Sequence, residues 1–164
     1  MLKLKNILVA TDFGEASDAA LAYGRELART FDATLHVLHV ADDVYMRLGG
    51  DAYVAVLPEL QKDIEAAANR QLDTLLIDND PKPLTVKRAV ITSAATAIAI
   101  VQYAKEMNID LIILGTHGRG AVAHLLMGSV AERVVRTASC PVLTVRHPEH
   151  DFVTPDSLTT VARA

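Results

Sequence analysis

Asp110-Leu111-Ile112-Ile113-Leu114-Gly115-Thr116-His117-Gly118 is the stretch on which the fold turns. Its apolar run is uninterrupted, as in strands buried on both faces of a parallel sheet, whereas half-solvated strands alternate apolar with polar residues. Glycines end the run, and nine residues after Gly118 come Gly128 and Ser129, which open a segment of helical character. A strand that passes through a glycine-rich connection into a helix is a place to hold a phosphate. Glycine lets the main chain approach a ligand closely and adopt positive φ, and a helix start presents unpaired N–H groups at the positive end of its dipole.

Outward from this stretch, short β-type runs alternate with helical segments. Toward the N-terminus the pattern predicts a strand over Asn6 to Ala10. A helix follows over about Ser17 to Phe31, with Ala16, Ala20, Tyr23, Leu27 and Phe31 as its buried stripe. Thr34 to Val40 reads as a second strand. Leu57, Leu60, Ile64, Ala68, Leu72 and Leu75 mark a long second helix, which Pro81 and Pro83 end. Leu84 to Ile91 is a third strand, Ala95 to Met107 a third helix and Asp110 to Leu114 the fourth strand; a helix from Ser129 to about Ala138 and a strand from Pro141 to Arg146 complete the series. Strands joined through helices imply right-handed crossovers and a mainly parallel sheet covered on both faces. The expected fold class is therefore α/β, a doubly wound five-stranded sheet. Ligands of such sheets bind beyond the carboxyl ends of the strands, where the winding reverses, and the glycine stretch follows a strand as that rule requires.

Two stretches fall outside the alternation. Asp42 to Asp51, with Gly49-Gly50, reads as a loop on the ligand side that could act as a lid. Residues 147–164 contain two prolines among mixed polar residues and read as a tail, flexible or docked on a partner, so that 1–146 forms a single domain.

Composition excludes several function classes. A formal charge of −4 with interspersed signs argues against a nucleic-acid binder, and 4% aromatic content with no Trp argues against a base-stacking platform. No run approaches the roughly 18 apolar residues of a spanning helix, so no membrane role is expected. Ile7 to Ala10 is too short for a signal core, and the expected location is the cytosol. Cys140 is the only cysteine and makes no internal disulfide; before Pro141 it reads as a small buried hydrophobe. His36 and His39, three apart in a strand, lie on opposite faces and cannot share a metal ion. His117, His124, His147 and His150 make no convincing ligand set either.

The glycine stretch differs from two better-known phosphate loops. Gly115 and Gly120 have P-loop spacing, but Ala121-Val122 stand where Lys and Ser or Thr are needed. Gly118-x-Gly120-x-x-Ala123 has dinucleotide spacing, yet it follows the fourth strand instead of opening the first βα unit.

Four segments together resemble the universal stress protein family: Asn6-Ile-Leu-Val-Ala-Thr-Asp12, Asp110 to Gly120, Met127-Gly-Ser-Val-Ala131 and Ser139-Cys-Pro-Val-Leu-Thr-Val145. The resemblance extends to Arg146. Its most specific part is G-x2-G-x9-G-(S/T), matched by Gly115, Gly118, Gly128 and Ser129, which in that family marks the ATP-binding members. It implies strand order 3-2-1-4-5 and ATP as ligand with Mg²⁺ or Mn²⁺. By the same resemblance, Ala10, Thr11 and Asp12 would line the ribose side, with Asp12 able to help hold the cation, and Val40 would receive the adenine. Leu114, Gly115, His117, Gly118 and Arg119 would line the ribose and triphosphate, and Gly128, Ser129 and Val130 would face the phosphates. Many members have a glycine after the third strand, where this chain reads Ile91-Thr-Ser-Ala94. The resemblance also implies a homodimer through Pro141 to Arg146.

Read on chemistry alone, Asp12 is equally an Asx-turn residue, Ser129 an N-cap and Arg119 a solvated surface charge. No catalytic constellation emerges, so the expectation is a nucleotide-dependent stress-response or signalling module rather than an enzyme. A slow ATPase or self-phosphorylating enzyme is one alternative, and a dimeric interaction module that needs no nucleotide is another.

Overall fold

The structure, a computed structural model, describes residues 3–48, 56–77, 83–116 and 127–146. In chain order it runs β1 (Asn6–Thr11), α1 (Glu15–Phe31), β2 (Thr34–Ala41), α2 (Val44–Leu48), α3 (Leu57–Leu75), β3 (Val86–Thr92), α4 (Thr96–Glu106), β4 (Leu111–Gly115), α5 (Ser129–Thr137) and β5 (Val142–Val145). The strands form one five-stranded sheet in the order β3-β2-β1-β4-β5. Every pairing is parallel, with Val9 opposite both Val37 and Ile113. This is the expected doubly wound fold, and the winding reverses between β1 and β4.

Burial on both faces explains the unbroken apolar runs. Along β1, Ile7 and Val9 enter a core with Leu35, Val37 and Ile113 beneath α1 and α3, whereas Leu8 enters a second core with Leu38, Ile112 and Ile100 beneath α4 and α5. At the amino edge the Asp110 carboxylate accepts the Lys5 N–H at 2.7 Å and the Asn6 N–H at 2.9 Å, joining the entries of β4 and β1.

Of the stripe expected on α1, Ala16 and Ala20 are buried and Leu27 and Phe31 pack half-buried against the core, and only Tyr23 departs. Ala16, Ser17, Ala20, Leu21, Gly24 and Ala28 face the sheet, and Tyr23 is 45% exposed. Gly24 is the cause: a Cβ there would collide with Val9 Cγ2, so the helix uses its one missing side chain to lie close to β1. On α3, likewise, Leu60 is exposed and Gln61 is buried, the reverse of the apolar pattern. Two strand entries follow residues in the left-handed region, Asp32 (φ 54) and Asn108 (φ 51), residue types that tolerate it.

The segment read as a loop from Asp42 is partly helical: α2 occupies Val44–Leu48, with Val44 buried. Its tip, residues 49–51, lies outside the described residues, as does the tail 147–164. Among the described residues no helix is long and apolar enough to cross a membrane.

Candidate functional site

The carboxyl ends of β1 and β4 meet at the point of reversed winding, and the α5 start lies beside them. A hydroxyl chain orders the β1–α1 turn. The Phe13 N–H donates to Thr11 Oγ1 (3.0 Å), Thr11 Oγ1 lies 3.1 Å from Ser17 Oγ, and Ser17 Oγ donates to the Gly14 carbonyl at 2.8 Å. With the Ser17 proton so directed, the Thr11 hydroxyl donates to Ser17. Asp12 Oδ1 accepts the Gly14 N–H at 3.1 Å, an Asx turn that fixes the carboxylate at the carboxyl end of β1. Phe13 holds φ 61, an uncommon conformation for a bulky residue, and its ring lies on His39 at a centroid distance of 4.4 Å.

His39 ties β2 into the same turn. Its Nδ1 is 2.9 Å from the Thr11 carbonyl, and because a carbonyl only accepts, Nδ1 carries the proton. His36 is on the other face, buried beneath α4, with Nδ1 3.0 Å from the Tyr103 hydroxyl and Nε2 without a partner among the described residues. Burial, with the Lys87 charge second, holds the His36 imidazole below its ordinary pKa. The two histidines therefore do lie on opposite faces, and no group of three or more His, Cys, Asp or Glu able to hold a metal occurs among the described residues. Cys140 packs half-buried against the α4/α5 core, where burial pushes its thiol pKa up.

On the α4/α5 side, half-buried Ala10, Val40, Ile91 and Met127 pack on the second core and line up as an apolar shelf at the strand ends. Leu114 is 3% exposed and Thr116 is buried, so neither side chain is open to the site. Gly115 has an architectural reason to be glycine. A Cβ there would lie 2.8 Å from the Ala16 carbonyl carbon, and the backbone is not in the left-handed region. The close approach that removes the side chain is made by α1.

Across the glycine-rich stretch, the Gly128 N–H donates to the Thr116 carbonyl at 2.6 Å, bringing the two described ends together. Gly128, not Ser129, is the N-cap of α5; it has φ −72 and ψ 155, and its carbonyl accepts the first helical bond from the Glu132 N–H at 2.9 Å. Ser129 is the first helical residue and is exposed, as is Val130. The first-turn N–H groups of Ser129, Val130 and Ala131 precede any intrahelical acceptor. His117, Gly118 and Arg119 lie outside the described residues.

The sequence profile of the Universal stress protein family matches residues 3–146. The chain belongs to the universal stress protein family. Among curated universal stress proteins, MJ0531 of Methanocaldococcus jannaschii is 30% identical over 148 residues, spanning 90% of this chain and 85% of that protein. Of solved structures, the hypothetical protein MJ0577 superposes with a TM-score of 0.77 at 25% identity, covering 91% of this chain and all of that one (100%). The universal stress protein UspA of Lactobacillus plantarum gives 0.75 at 28% identity, covering 89% and 100%. Two more distant universal stress proteins share the fold: one in complex with cAMP (TM-score 0.58, 21% identity, covering 88% and 98%) and one from Archaeoglobus fulgidus in complex with dAMP (0.53, 18%, covering 88% and 99%).

Some residues of the site could not be singled out in sequence. Phe13 and His39 face each other across β1 and β2, and only pairing with β1 makes His39 a partner of the Thr11 carbonyl. Met127 carried a signal, since it directly precedes the Gly128-Ser129 pair.

Proposed function

We propose that this universal stress protein binds an adenine nucleotide, ATP with a divalent cation, at the crevice between β1 and β4, and acts as a nucleotide-dependent stress-response or signalling module. The observation that carries the reading is the 2.6 Å bond from the Gly128 N–H to the Thr116 carbonyl. It gathers the β4 end and the uncommitted first turn of α5 at the reversal point, where a doubly wound sheet receives a phosphate. The cAMP and dAMP complexes of two family members support the choice of an adenine nucleotide.

The residues fit the parts of such a ligand. The first-turn N–H groups of α5 and the Ser129 hydroxyl suit anionic oxygens, the Ala10, Val40, Ile91 and Met127 shelf suits the flat base, and the Asp12 carboxylate suits a hydroxyl or a cation. Asp12 would be one cation ligand, the phosphates supplying others. By the sequence motif, His117, Gly118 and Arg119 join the phosphate side. The protein is read as a binder whose bound and free states differ at this edge, not as an enzyme.

A single substitution tests the cradle without disturbing the helix. Ser129→Pro removes an N–H and a hydroxyl at the first helical position, where proline is favoured, and Gly128 already has the extended backbone a following proline requires. With Mg²⁺ and ATP at about 100 times Kd the wild type should gain about 2.7 kcal/mol of stability. Ser129→Pro should lose most of that gain and keep its nucleotide-free melting temperature. A wild type whose melting temperature does not move at millimolar ATP sinks the reading.

The β5 edge supports a homodimer as the assembled form. Pro141 and Val145 turn their carbonyls to β4, accepting from Ile112 and Thr116 at 3.0 and 2.8 Å. Val142 and Thr144 therefore direct their backbone groups outward, where a second copy can pair with them.

A further inference from the structure

Gln61 is a buried polar side chain on the third helix, and every polar atom it carries is used. Its Oε1 accepts the Val44 N–H at 3.0 Å. Its Nε2 lies 3.2 Å from the Asp42 carbonyl, 3.2 Å from Glu65 Oε1 and 3.3 Å from Thr92 Oγ1. Thr92 in turn donates its hydroxyl to Glu65 Oε1 at 2.6 Å. The amide cannot be turned over: Val44 supplies a donor and Asp42 an acceptor, so the oxygen and nitrogen of Gln61 each have one possible place.

The network joins the chain leaving β2, the start of α2, helix α3 and the last residue of β3. Beside it, the Ser93 N–H donates to the Ala41 carbonyl at 3.0 Å, locking the exits of β3 and β2 together. Val40, one residue before Ala41, is part of the apolar shelf on the opposite face. The path of the backbone directly after Val40 is thus set by a side chain that does not itself reach the shelf.

We propose that Gln61 is the positioning residue for base selection: by taking up the Asp42 carbonyl and the Val44 N–H it fixes the β2–α2 connection, and with it the end of β2 at Val40, beside the base. This inference rests on the nucleotide reading above. Apolar contact with the shelf does not distinguish adenine from guanine, because both have the same flat face. Distinguishing them takes backbone groups held in place, since a misplaced buried donor or acceptor is what rejects the wrong edge.

The test measures Mg²⁺-ATP and Mg²⁺-GTP dissociation constants, together with exchange of the Val44 amide, in the wild type, Gln61→Leu and Gln61→Glu. Leucine removes all of the bonds. Glutamate is isosteric and still accepts from Val44, but it loses the donors to Asp42 and Thr92 and sets a second carboxylate against Glu65, so it serves if the leucine variant does not fold. Expected are a wild-type preference for ATP, at least a fivefold fall in that preference in each folded variant, GTP affinity within twofold of wild type, and Val44 exchange at least tenfold faster. If ATP and GTP affinities fall together, or the preference is unchanged, Gln61 serves the fold alone and the proposal is overturned while the nucleotide reading stands. A wild type that binds both bases equally overturns the base-selection role. A wild type that binds neither overturns the nucleotide reading and the proposal with it.

Discussion

Gly115→Ala separates an architectural role for this glycine from a ligand role, with the sign of the effect as the readout. The added Cβ would stand 2.8 Å from both the carbonyl carbon and the Cβ of Ala16 and 3.0 Å from its carbonyl oxygen. Relaxed carbon contacts lie near roughly 3.5–4.0 Å, so about 0.7 Å has to be found between β4 and α1. Neither element yields easily. Strand β4 is paired on both edges, and the first turn of α1 is tied down through the Ser17 hydroxyl. Overpacking of this kind costs about 1–3 kcal/mol, against which loss of the glycine backbone entropy in a strand returns about 0.5–1 kcal/mol. The net expectation is a destabilisation of about 1–2 kcal/mol, or roughly 2–8 °C in melting temperature for a domain of this size. Urea unfolding of nucleotide-free protein followed by far-UV circular dichroism measures it. An unchanged or raised midpoint would refute the close approach of α1 and leave Gly115 glycine for the sake of its ligand.

Two further substitutions probe the buried histidine and the sheet edge. Burial, with the Lys87 charge second, lowers the His36 pKa in the folded protein, whereas the unfolded chain protonates it near its ordinary value of about 6.5. Its contribution to stability is thus complete above that value and declines as pH falls toward the lower folded pKa, by up to about 1.4 kcal/mol per pH unit. Unfolding free energies between pH 7.5 and 5 (about the range where histidine titrates) should fall more steeply in the wild type than in His36→Phe; parallel curves would contradict the assignment. At the edge, Thr144→Pro deletes an outward N–H without touching the bonds to β4, so sedimentation should show a dimer for the wild type and a monomer for the variant. A variant that remains dimeric places the interface elsewhere.

The sheet was legible because its central strands are buried on both faces, so that Ile7 to Val9 and Leu111 to Leu114 are apolar without a break. What sequence could not supply were the exceptions that packing selects. Tyr23 fits the helical period as well as Gly24 does, but only the proximity of Val9 makes a missing side chain more useful than a large one. Gln61 lies within the α3 stripe, between Leu57 and Ala68, and is passed over because the neighbouring Leu60 is apolar. Its buried amide makes sense only once the Val44 N–H and the Asp42 carbonyl are seen to need it. In the segment after Asp42, Gly49-Gly50 suggested a loop throughout, masking the short helix before it. At the candidate site the glycine spacing marks the carboxyl end of β4 and the start of α5, while the hydroxyl read as the α5 cap lies one residue inside the helix.

The bond between Thr116 and Gly128 also means that the fold itself holds together the two described ends on either side of residues 117–126. Where two ends are already held, the entropic cost of a longer connection between them rises only with the logarithm of its length, about 0.6 kcal/mol for each doubling. The β1–α1 turn is the opposite case, since from Thr11 to Ser17 the side chains and amides are bonded to one another and an added residue would break the set. Of the two connections that meet at the crevice, the one between Thr116 and Gly128 is therefore where a peptide tag or a reporter domain can be grafted with the sheet intact.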